Sequence, residues 1–204
     1  MELTEPLRRG LIEALARTMI DNADELTRLD QAIGDGDHGI NMQRGFAAVL
    51  ADADRIAALP LGEGLSAIGT MLVMQVGGAS GPLYGTLFLR LGKALPAQPS
   101  FADFVAAAET AVAAVKARGR SDVGCKTMLD VLVPALDALK ADGPGSATRL
   151  PAKAEAAAEA TVPLRAIRGR ASFLGERSIG HMDPGARSSA LLIAAACAAL
   201  RRSA

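Results

Sequence analysis

Apolar residues recur along this chain mostly three or four positions apart, the spacing that lines one face of an α-helix. From Pro6 onward, Leu7, Leu11, Ile12, Leu15, Met19 and Leu26 keep that period up to a turn at Asp30 and predict one amphipathic helix. Met42, Phe46, Val49 and Leu50 resume it until Leu59 and Pro60 stop it. Leu65, Ile68, Met71, Leu72 and Val76 predict a third helix, and Leu83, Leu87 and Leu91 a fourth, beyond a glycine-rich break at 77–82. Ser100 with Asp103 three residues on resembles a capping box and opens a fifth helix over 101–116. A sixth is expected over 127–140, kinked by Pro134, and a seventh over 150–167, bent or interrupted by Pro163. A long non-periodic stretch, 168–185, precedes a last helix from about 186 to 201. Two-residue alternation and β-branched clusters are scarce. The predicted class is all-α, about eight antiparallel amphipathic helices in an up-down bundle or barrel.

Composition narrows the picture. A chain of 204 residues, 50% of them hydrophobic, has enough apolar material for one generous domain, expected over residues 1–204. Lys plus Arg balance Asp plus Glu at 22 each and aromatics are 3%, which argues against a basic nucleic-acid surface with stacking platforms. The first residues lack a basic region followed by an apolar run. The longest apolar run, 190–200, is mostly alanine and falls short of the roughly 20 residues of a membrane span, so a cytoplasmic protein is expected. Cys125 and Cys197 lie far apart without metal-type spacing and are expected to be reduced thiols.

The chemistry is concentrated in the turn at 30–41. Gly34, Gly36 and Gly39 free the backbone so that Asp30, Asp35 and Asp37 can converge on one point. Converging carboxylates suit Mg²⁺, a hard cation that takes protein oxygens together with water and substrate phosphates. Asp37 or Asn41 would equally serve as an ordinary helix cap. The glycines at 77–81, before a helix amino terminus, suit a phosphate group, and alone they would also make a tight helix-helix turn. Together with 118–128 and 168–185 these loops are alternate connections in an eight-helix order, so all four are expected at one rim. A carboxylate cluster and a phosphate-binding loop at one rim describe a binder of a nucleotide polyphosphate. Two better-known motifs fail. An EF-hand would need a ligand at Gly39 and a glutamate at Phe46, and in 119–127 Cys125 separates the second glycine of a P-loop from Lys126.

Asp30 with residues 33–39, Asn41 and Met42, then 77–85, then Lys126, Thr127 and Met128, then 169–185, resemble in order and nearly end to end the nucleotide-binding L subunit of bacterial dihydroxyacetone kinases. The resemblance implies an eight-helix barrel with ADP held through Mg²⁺ at one rim. It assigns Asp30, Asp35 and Asp37 as metal ligands, for two Mg²⁺ ions. It assigns His38, Gly39, Ile40, Asn41, Gly78, Ala79, Ser80, Gly119, Met128, Arg170, Asp183, Pro184 and Gly185 as nucleotide contacts. Cys125 departs from the family, which has an acidic residue there.

The resemblance further implies phosphoryl transfer to dihydroxyacetone held on a separate K subunit, with bound ADP recharged by a phosphohistidine on an M subunit of the phosphotransferase system. The three aspartates and Arg170 are the residues expected to carry the transfer, with Arg177 as a further candidate. An ATP-dependent kinase of a related ketose or sugar acid, in which ATP replaces ADP each cycle, is the alternative, and His38 leans toward the phosphotransferase type. An ADP-loaded partner of a transcriptional regulator is a third reading, and self-association as a homodimer stays open.

Overall fold

The structure is a computed structural model describing residues 3–202, so Met1, Glu2, Ser203 and Ala204 of the expected 1–204 span lie outside it. Among the described residues every regular element is helical, and the expected all-α class holds. The first expected helix is two, α1 (Glu5–Asp21) and α2 (Ala23–Ile33). Asn22 between them leaves helical geometry, and its side-chain amide donates to the Thr18 carbonyl at 2.8 Å, replacing a helix bond with a local one. Asp52 likewise divides α3 (His38–Ala51) from α4 (Ala53–Ala58).

The next elements are α5 (Leu61–Gln75), α6 (Ser80–Ala94) and α7 (Phe101–Gly119). The Ser100 hydroxyl accepts from the Asp103 amide while the Asp103 carboxylate accepts from the Ser100 amide, so the expected capping box opens α7. Pro134 sits inside α8 (Leu129–Asp142) without ending it. Beyond a 3₁₀ segment at Gly143–Thr148, α9 covers only Leu150–Glu159 rather than 150–167. Tight turn bonds from the amides of Thr161 and Val162 to the carbonyls of Ala158 and Glu159 take the chain out of the helix before Pro163. The non-periodic stretch contains a second 3₁₀ segment, Arg170–Ser178, broken at Gly175. Last comes α10 (Pro184–Arg202), which begins two residues earlier than expected because Pro184 fits the first turn and the Asp183 carboxylate accepts from the Ala186 amide at 2.7 Å.

Taking α1 with α2 and α3 with α4 as single bent passes, eight passes each pack on the next in sequence, and α10 closes the ring against α1. Met19, Leu26, Phe46, Leu72 and Leu129 are fully buried inside it, each stabilising the fold by about 1.5–3 kcal/mol. The ring holds a partly open apolar cavity of about 280 Å³, lined among others by Ile12, Ile68, Phe88 and Leu192. Both cysteines are free and buried. No helix among the described residues is long and apolar enough to cross a membrane.

Glycine sets the spacing of α5 and α6. Gly62 and Gly69 face Gly92 and Gly85, and a Cβ on Gly69 would sit 2.6 Å from the Leu89 backbone nitrogen. Backbone cannot give way as a flexible side chain can. Gly69→Ala is therefore expected to destabilise the protein by about 1–3 kcal/mol. Gly10 lies within α1 with open space where its Cβ would be, so Gly10→Ala is expected to stabilise by about 0.5–1 kcal/mol. Urea unfolding followed by circular dichroism measures both, and effects of the same sign would contradict this account of the α5–α6 contact.

Candidate functional site

Alternating passes bring the α2–α3, α5–α6, α7–α8 and α9–α10 connections to one end, where residues from all four line a single cavity of about 150 Å³. The same alternation makes α3, α6, α8 and α10 begin at this rim. Four helix amino termini, each carrying partial positive charge, thus surround the cavity.

Asp30, Asp35 and Asp37 each offer an oxygen within 4.8 Å of the others. Asp30 is the buried member, held on the last turn of α2, and its carboxylate accepts from the amides of Asp37 at 2.8 Å and His38 at 3.1 Å. It therefore caps α3 with one oxygen. Gly36 turns the chain with φ +75°, a region that costs a side chain strain, and lets Asp35 and Asp37 come round beside Asp30. Arg170 reaches across from the α9–α10 connection and pairs with Asp35 at 3.1 Å. The donor set is all oxygen, partly open to solvent, and carries three negative charges against one arginine, as a hard divalent cation requires.

Behind the carboxylates lies a buried hydrogen-bond chain. His38 Nδ1 is 2.9 Å from the Ser80 hydroxyl at the start of α6, and its Nε2 is 2.9 Å from the Ser188 hydroxyl on α10. The Tyr84 hydroxyl meets Ser188 at 2.7 Å and Ser189 at 2.9 Å, and donates to the Gly185 carbonyl at 3.0 Å. Burial holds His38 down at about 4, against the opposing pull of Asp30 and Asp37, so its ring is neutral at physiological pH. Burial also pushes the Tyr84 hydroxyl up to about 12 and the Asp183 carboxyl up to about 7, the latter with further upward push from Asp130 and Asp30.

The remaining walls are loops tied from within. The Asp130 carboxylate accepts from the amides of Gly124 at 2.6 Å and Thr127 at 2.7 Å and folds the α7–α8 connection. Lys126, 1% exposed, sends its ammonium into the carbonyls of Thr161, Leu164 and Ser178 at 3.0, 3.0 and 2.7 Å, with Val162 at 3.4 Å. The Thr161 hydroxyl accepts from the Asp183 amide at 3.0 Å, which fixes the entry to α10.

Of the residues expected at the site, Asp30, Asp35, Asp37, His38, Gly78, Ala79, Ser80, Met128, Arg170, Asp183, Pro184 and Gly185 line the cavity. Gly39, Ile40, Asn41 and Gly119 do not. Gly39 is packed so closely on α2 that a Cβ would lie 2.6 Å from the Thr27 amide nitrogen, whereas Ile40 faces solvent. Asn41 accepts from Arg44 at 2.8 Å beside the glycine loop, and Gly119 stands one layer behind Leu83. Arg177 and His181 are exposed and outside the lining. Sequence reasoning missed Tyr84, Ser188, Ser189, Asp130 and the role of Lys126. The paired serines inside an alanine-rich helix were the one visible sign.

Comparison with known proteins identifies the family. The family model for the DAK2 domain matches residues 32–198. The chain is 44% identical over 173 residues to PEP-dependent dihydroxyacetone kinase 1, ADP-binding subunit DhaL, of Listeria innocua, covering 84% of this chain and 85% of that protein. It is 42% identical over 174 residues to the PEP-dependent dihydroxyacetone kinase ADP-binding subunit DhaL of Escherichia coli, covering 81% and 83%. Among solved structures, the dihydroxyacetone kinase from C. freundii in complex with AMP-PNP and Mg²⁺ superposes with a TM-score of 0.77 at 30% identity, over 98% of this chain. This chain spans about a third of that one, 34%. A family match over most of the sequence, joined to the same helical architecture, establishes that the chain belongs to the DAK2 domain family.

Proposed function

We propose that this chain is the ADP-binding, phosphoryl-carrying subunit of a dihydroxyacetone kinase, a single nucleotide-binding domain working in the cytoplasm. The observation that carries this reading is the position of Asp30, Asp35 and Asp37 on a cavity ringed by four helix amino termini. Carboxylates alone would repel one another there, and amino termini alone would bind any anion. The pair of features suits a divalent cation shared with a polyphosphate. The two relatives described above are named as ADP-binding subunits, and the C. freundii kinase was solved with AMP-PNP and Mg²⁺.

In this reading the three aspartates hold the metal, two ions by family resemblance, and when bound it supplies charge neutralisation between the phosphates in a loose, metaphosphate-like transfer. Everything else is alignment by this chain's own groups. Ser80 and the backbone N–H groups of Gly78 and Ala79 hold the terminal phosphate at the start of α6. His38 orients the Ser80 hydroxyl and adds no charge, and it is not a covalent relay. Arg170, steered by Asp35, offsets charge from the opposite wall. Met128 and residues 183–185 form the side that receives base and ribose.

The acceptor ketose sits on a separate K subunit, and a phosphohistidine M subunit restores the phosphoryl group. The surface of the rim supports a protein partner. Every large hydrophobic side chain exposed among the described residues lies at this end: Ile40, Val73, Met74, Val123, Ile167, Phe173 and Ile179, with Phe173 90% exposed. Apolar exposure confined to the mouth of a polar cavity marks a docking surface.

Three outcomes are expected. Denaturing the purified protein releases ADP, and the assembled subunits phosphorylate dihydroxyacetone from a phosphoenolpyruvate relay; rapid turnover on free ATP instead would sink the relay. Asp35→Asn weakens Mg²⁺-ADP binding roughly 10- to 100-fold, the scale of about 1.5–3 kcal/mol for one charged contact, while far-UV circular dichroism stays unchanged. Full nucleotide retention in that variant, read by calorimetric titration, would overturn the metal assignment. Phe173→Asp lowers K-subunit-dependent turnover and leaves Mg²⁺-ADP affinity within about twofold, because the site itself is untouched; equal loss of both would assign Phe173 to the nucleotide instead.

A further inference from the structure

Lys126 is a buried cation with no carboxylate in hydrogen-bond contact. Its ammonium is solvated by the carbonyls of Thr161, Val162, Leu164 and Ser178, and its own backbone sits at φ +61°. A lysine adopts that left-handed conformation at a cost, so the contacts of its side chain hold it there. The four carbonyls come from the two ends of one loop. Residues 161–164 leave α9 and Ser178 closes the second 3₁₀ segment, so one ammonium draws together the two feet of the segment that carries Arg170. Two further bonds follow the same closure: the Ala166 amide donates to the Ser178 hydroxyl at 2.9 Å and the Gly180 amide to the Val162 carbonyl at 2.9 Å. Without the ammonium, the Leu164 and Ser178 carbonyls would lose their donor, and a carbonyl stripped of partner and water favours an opened loop.

We propose that Lys126 is a positioning residue for the nucleotide: its ammonium clamps the feet of the 161–178 loop and so sets Arg170 against the carboxylate cluster before the ligand arrives. Lys126 lines the cavity, yet its ammonium is held by the loop carbonyls, so it acts through the loop. The proposal rests on the nucleotide reading above, since an ordered wall lowers the cost of closing on Mg²⁺-ADP.

The test is chemical rescue. Lys126→Ala removes three methylenes and the ammonium, a space that n-propylammonium refills, and 1-propanol serves as the uncharged control. Lys126→Met keeps the apolar stem and loses the ammonium; it leaves no space for the amine, so if the alanine variant fails to fold it carries the exchange and affinity readouts without rescue. Hydrogen exchange by mass spectrometry reads the loop and calorimetric titration reads Mg²⁺-ADP. Expected are unchanged helicity, faster amide exchange confined to residues 160–180, and affinity lowered roughly tenfold or more, with n-propylammonium restoring both and 1-propanol neither. Affinity within about twofold of wild type, or exchange raised evenly through the barrel, would overturn the proposal. So would equal rescue by 1-propanol. Wild-type protein that binds no Mg²⁺-ADP would overturn the nucleotide reading, and the exchange and rescue arms would still decide whether the ammonium holds the loop.

Discussion

The site depends on one constraint of the ring: passes that alternate in direction must place every second helix start at the same end. α3, α6, α8 and α10 therefore aim their amino termini at one cavity whatever sequence fills the walls. That gathers partial positive charge, which a cluster of carboxylates partly answers. Asp30 shows the exchange at atomic scale, because its carboxylate both caps α3 through the Asp37 and His38 amides and stands among the three oxygens of the cluster. Moving it would cost the helix its cap and the cluster its buried member together.

A buried polar network ties together the helices behind the cavity. His38 joins α3 to α6 and α10 through two hydroxyls, and Tyr84 extends the chain to Ser189. No buried side-chain polar atom among the described residues lacks a partner. In a low-dielectric interior such a network is stable only when complete, so it selects one relative placement of three helices. The same chain separates the polar cavity from the apolar one, since Tyr84 lines both.

Much of this was legible because it is local. The carboxylate turn spans eight residues, the capping box four, and helical periodicity needs only a dozen or so. Asn22 and Asp52 split two expected helices, yet the rim survived, because those breaks bend a pass without reversing it and the alternation of connections was preserved. The end of α9 was misjudged because alanine favours helix through Ala160, and only the turn bonds around Thr161 and the distant pull of Lys126 take the chain elsewhere. Contacts such as His38 with Ser188, 150 residues apart, leave no periodic trace. Gly39 shows the converse limit: its place in a motif suggested a ligand contact, and its surroundings give it a packing reason.

In the proposed function, Asp30, Asp35 and Asp37 hold a divalent cation at the mouth of a nucleotide site. Crystals grown with ADP and Mn²⁺ in place of Mg²⁺, measured at the manganese absorption edge, locate the metal directly. Anomalous density is expected within coordination distance of all three carboxylates and in contact with the phosphates. Metal density elsewhere, or ordered ADP with none beside these aspartates, would contradict this assignment.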